Sequence, residues 1–85
     1  MMKATEAHAI ATTYARIHAV ELANEADTKI RKMAETGKFD TYYSNEGFTN
    51  PYVRDAFQKL LESYGYKLTY TTNLHTFCID WSKND

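Results

Sequence analysis

Residues that staple or interrupt a chain are scarce in this sequence. Its 85 residues include one cysteine (Cys78), one proline (Pro51) and three glycines (Gly37, Gly47 and Gly65). One cysteine excludes an internal disulfide and fits a reducing compartment. Three scattered glycines cannot build a loop that cradles phosphate. No apolar run approaches the roughly 20 residues of a membrane-spanning helix. The stretch Met1–Glu6 has no apolar segment behind Lys3, so no secretory signal is expected there. Charge of one sign is missing too. Ten basic residues balance eleven acidic ones, leaving a formal net charge of −1. That lacks the clustered positive charge of a strong nucleic-acid binder. A cytoplasmic protein without a membrane partner is expected.

What is present reads as an ordinary globular composition, with 44% hydrophobic and 14% aromatic residues. A single α+β domain over residues 1–85 is expected. A chain this short buries a modest core, and self-association is a natural supplement to it. From Thr5 to Thr36 there is neither glycine nor proline, and Ala, Leu, Glu, Lys and Arg dominate. These are good helix formers. Thr5 is the expected cap and Gly37 the expected stop, giving a first helix of about 30 residues, or roughly 45 Å. Lys38–Tyr43 reads as a strand, and Ser44–Thr49 as a loop. Asn50-Pro51 is a cap followed by proline at the first helical position. The second helix then runs to about Tyr64, with Val53, Phe57, Leu60 and Leu61 on one face, and Gly65 ends it. Tyr66–Thr71 and Thr76–Trp81 read as a hairpin turning near Asn73. The expected fold is α-β-α-β-β, two helices on one face of a three-stranded mixed sheet. Phe77, Ile79 and Trp81 make the third strand the most apolar, which places it centrally in the order 1-3-2, with Leu68 facing the helices beside it.

The first helix carries the main irregularity. At 100° per residue, Ala15, Ala19, Leu22, Ala26, Ile30 and Met33 share one sector. Ala7, Ile10, Tyr14 and Ile17 share another, roughly opposite, which turns polar beyond Ile17. Strands of about six residues span only roughly 20 Å. Two arrangements follow. Either the N-terminal part, about residues 3–20, projects as an interface arm, or a bend near Asn24 folds both faces into one core. The first makes Ile10, Tyr14 and Ile17 candidate partner-binding residues, because a contiguous exposed apolar patch usually marks an interface.

Reactive constellations are sparse. His8 and His18 lie ten positions apart and about 80° apart around the helix, so they do not converge on a metal. His75 and Cys78 point to opposite faces of one strand, which disfavours a nucleophile pair. Asp40 and Asp80 become cross-strand neighbours on the outer sheet face if strands 1 and 3 pair. No catalytic residue, metal ligand or cofactor is assigned. Six of the seven tyrosines fall after residue 40. Tyr43, Tyr66 and Tyr70 are further partner-binding candidates, since tyrosine offers both apolar area and a polar tip. With Lys38 and Lys67 they suggest an alternative, a nucleic-acid or nucleotide-binding platform.

The runs Ile30–Phe39 (IRKMAETGKF), Leu60–Leu68 (LLESYGYKL) and Phe77–Ser82 (FCIDWS) resemble the plan of many small phage-encoded proteins. In that plan a long helix ends in A-x-x-G, a second helix ends in L-x-x-x-G-Y, and a last hairpin ends in I-x-W. Leu60, Leu61, Gly65, Tyr66, Ile79 and Trp81 carry the likeness, and all are structural positions. This chain departs in its tyrosine-rich first strand and its longer loop before the second helix. The resemblance implies a non-enzymatic virion or assembly component, or an inhibitor of a bacterial defence system such as CRISPR. Such a protein works through a protein partner or as a homo-oligomer, in the host cytoplasm or the virion.

Overall fold

A computed structural model describes residues 1–82 and shows one continuous helix where the sequence allowed a break; the last three residues of the expected domain lie outside the described residues. The elements are α1 (Ala4–Glu35), β1 (Asp40–Ser44), a 3-10 turn (Glu46–Thr49), α2 (Pro51–Ser63), β2 (Lys67–Thr71), a 3-10 turn (Thr72–Leu74) and β3 (Thr76–Asp80). The expected start cap is corrected. Lys3 occupies the N-cap of α1 and makes no side-chain capping bond, and Thr5 lies inside the first turn.

Both helices end in the same way. Past α1, the Gly37 amide donates to the Ala34 carbonyl and the Lys38 amide to the Met33 carbonyl. Past α2, the Gly65 amide donates to Glu62 and the Tyr66 amide to Leu61. Each is a Schellman closure, which needs a left-handed residue after the C-cap. Gly37 (φ 84°) and Gly65 (φ 95°) supply it. At the other end of α2, the Asn50 side chain accepts from the Tyr52 and Val53 amides, with Pro51 beside it.

The sheet order is β1-β3-β2, as expected. Both neighbouring pairs are antiparallel. The expected mixed sheet is corrected: β1 and β2 run in the same direction but never pair, because β3 lies between them, so the sheet is antiparallel throughout. Asp40 pairs with Asp80, and Lys67 lies on the other side of Asp80.

Both helices cover the face bearing Tyr43, Phe77, Ile79 and Leu68. The two helices run in the same direction, with His8 near Tyr52 at one end and Ile30 beside Leu61 at the other. The core centres on packed rings. Phe48 lies 4.8 Å from Phe57 and 4.9 Å from Phe77, and Tyr70 lies 5.0 Å from Phe77. Fully burying one such side chain stabilises the fold by about 1.5–3 kcal/mol. Phe48 comes from the segment expected to be a plain loop. The Asn45 side chain accepts from the Gly47 amide and so opens a 3-10 turn that swings Phe48 inward. Among the described residues, no buried polar side-chain atom is left without a hydrogen bond.

Candidate functional site

The surface of α1 divides as its periodicity requires. Ala15, Ala19, Leu22, Ala26 and Ile30 are buried against β1 and α2. On the far side, Ile10, Tyr14 and Ile17 are 59%, 58% and 57% exposed. The helix does not bend to bring them in, because its buried sector already satisfies the sheet and α2. The first two turns of α1 have no buried residue, and the molecule extends 54 × 26 × 19 Å along its axes. Tyr14 stacks on His18 with ring centroids 5.7 Å apart, which holds the two side chains side by side along the helix. His18 Nδ1 lies 3.6 Å from a Glu21 carboxylate oxygen. Val20, 48% exposed, adjoins the stripe and was not singled out from sequence.

The tyrosine candidates behave differently. Tyr43 is a correction: it is a core residue, 9% exposed. Strand alternation turns it away from Tyr42 toward α1, where its hydroxyl donates to Glu25 at 2.6 Å. Burial, and then that carboxylate, push its pKa well above the ordinary tyrosine range. Tyr66 and Tyr70 share the inner face with Leu68, and both are half-buried against the core. Tyr66 meets Trp81 edge-on at 6.2 Å. The Arg54 guanidinium sits 4.6 Å above the Tyr70 ring, and the Tyr70 hydroxyl donates to the Phe48 carbonyl at 3.3 Å. These three side chains therefore do not form an open platform. The exposed tyrosines Tyr14, Tyr42, Tyr52 and Tyr64 are scattered over three elements.

A shallow groove of about 520 Å³ runs between the C-terminal halves of α1 and α2, lined by Val20, Ala23, Ile30, Leu60, Tyr64 and Tyr66 among others. Leu60 in α2 and Tyr64 at its C-cap stand four apart and could have been paired from the helical repeat. Of its polar neighbours, Asp27 accepts from Arg31 at 2.8 Å. That contact raises the Arg31 pKa and engages the carboxylate.

On the open sheet face, Cys78 lies between Tyr42 and Thr69. Partial burial, together with the charges of Asp40 and Asp80, pushes its thiol pKa up, which disfavours the reactive thiolate. Among the described residues, no group of three or more His, Cys, Asp or Glu side chains is placed to hold a metal, and no helix is long and apolar enough to cross a membrane. Comparison with protein-family models, curated proteins and solved structures finds no match for this chain.

Proposed function

We propose that this chain is a non-catalytic interaction module that docks protein through the outward face of α1. One observation carries the reading: Ile10, Tyr14 and Ile17 form a continuous exposed apolar stripe on the side of the helix away from the core. Large apolar side chains ordered along a rigid helix are the anchors that helix-mediated recognition uses. Supporting it, two of the polar groups near the core and the groove are engaged structurally. Tyr43 is spent on Glu25, and Asp27 on Arg31. The resemblance to small phage-encoded proteins suggests two settings, virion assembly or inhibition of a bacterial defence protein. A large closed ring or filament in solution favours the first, and a small species favours the second.

The test is Ile10→Lys with Ile17→Lys, since lysine is no worse a helix former than isoleucine. The helical circular dichroism is expected to persist while solution mass, or retention of proteins from a lysate of the source cell, changes. If fold, mass and retention all survive, the stripe is not a docking surface.

A further inference from the structure

The stripe has a spacing that identifies its occupant. Lys3, Ala7, Ile10, Tyr14, Ile17 and Glu21 follow one another at alternating steps of four and three residues. That is the repeat that keeps one seam of a helix against a second helix. The same positions continue as Asn24, Thr28, Arg31 and Glu35, so the apolar seam ends at Glu21. Its interior is uncharged, with a cation at one end and an anion at the other.

This pattern is self-complementary in one orientation. In an antiparallel pair with its two-fold axis near Thr12, Lys3 meets the second copy's Glu21. Ala7 meets its Ile17, setting a small side chain against a large one, and Ile10 meets its Tyr14. A parallel pair would instead set Lys3 against Lys3 and Glu21 against Glu21, which like-charge repulsion disfavours. Lys3 also stands at the N-cap of α1 without a side-chain capping bond, at the end of a helix where a cation is disfavoured and a carboxylate is favoured. A carboxylate arriving there satisfies both the lysine and the helix end. The alanines Ala4 and Ala11 flank the seam and allow close approach. The buried sector of α1 faces the other way, so the two domains would sit on the outer sides of the pair.

We infer that the outward stripe of α1 takes a second copy of this chain, packed antiparallel, with Lys3 of each copy against Glu21 of the other. The inference rests on the docking reading above and gives it a partner and a register.

Charge reversal tests the register in the full-length chain by sedimentation equilibrium. Lys3→Glu alone and Glu21→Lys alone each place two like-charge pairs in the dimer and should weaken association by roughly five- to tenfold. The double variant should return to within about threefold of the wild type. Residues 3 and 21 are about 27 Å apart along one helix, so such a rescue cannot arise within a chain. Loss of affinity in the double variant equal to the sum of the singles overturns the register. Cross-linking gives a second measurement. In a Cys78→Ser background, Ala7→Cys with Ile17→Cys should form a covalent dimer on mild oxidation, and neither single cysteine should. Positions 7 and 17 of one helix are about 15 Å apart, too far for a bridge within the chain. Cross-linking by the single variants overturns the antiparallel arrangement. A wild-type chain that stays monomeric up to about 1 mM overturns the second-copy assignment. In that case the docking reading survives if the Ile10→Lys, Ile17→Lys chain loses lysate proteins that the wild type retains, and falls if it does not.

Discussion

The two faces of α1 are built from similar residues and do different things. On one, Ala15, Ala19, Leu22, Ala26 and Ile30 are buried, and their small size lets β1 and α2 approach closely. On the other, Ile10, Tyr14 and Ile17 are larger on average and stay in water. Hydrophobicity alone does not decide which face is core. The sheet is short, five residues per strand, and can cover one sector of a 32-residue helix. It takes the sector whose side chains permit the closest contact, and the bulkier sector is left for something outside the fold.

The sharpest way to break that distinction is a matched pair of truncations. Leu22→Ala should cost about 2–5 kcal/mol of folding free energy, because the cavity it leaves is enclosed. Ile17→Ala should stay within about 0.5 kcal/mol in dilute solution, where no partner covers it. Urea denaturation of both variants measures this, and equal losses would erase the difference between the faces. A smaller effect is expected from overfilling. Ala26 is fully buried, so Ala26→Leu should destabilise by about 1–3 kcal/mol. The end of α1 can be tested through Gly37, whose added Cβ would meet nothing within 4 Å. Gly37→Ala should therefore cost only its left-handed backbone, about 1 kcal/mol. A change above that would mean the position is crowded after all.

Titration sharpens the comparison further, since Tyr43 packs against the buried side of α1 through Glu25. Burial, and then Glu25, raise the Tyr43 pKa above its ordinary value of 10.0. The folded chain thus keeps this phenol neutral where the unfolded chain ionises it. The stability it contributes is complete below about pH 10 and is lost as the pH rises past it. Tyr43→Phe should flatten that alkaline loss in denaturation curves taken between about pH 8 and pH 11, and a loss as steep as that of the wild type would remove Tyr43 as its source.

Much of this architecture was legible from local chemistry. Gly37, Gly65 and the Asn50-Pro51 pair bound the helices because left-handed stops and polar caps are encoded within a few residues. The apolar β3 gave the strand order, since the central strand must be covered on both edges. The helical repeat separated the two sectors of α1 without coordinates. What escaped the sequence is non-periodic. Phe48 is a lone aromatic between elements, and only the Asn45-capped turn carries it into the ring cluster. Tyr43 followed strand alternation correctly, but its burial depends on how far α1 extends over β1, where Lys29 reaches the Tyr42 carbonyl. The groove between α1 and α2 depends on the two helices running in the same direction, which neither helix specifies alone.

The most direct measurement is the melting temperature of the wild type and of the Ile10→Lys, Ile17→Lys variant across a wide range of protein concentration. A surface used only for association stabilises the wild type by mass action. Its melting temperature should climb with concentration, while that of the variant stays level and the two converge on dilution. A constant gap between them at every concentration would mean that Ile10 and Ile17 support the fold itself, contradicting the division of α1 into a folding face and a binding face.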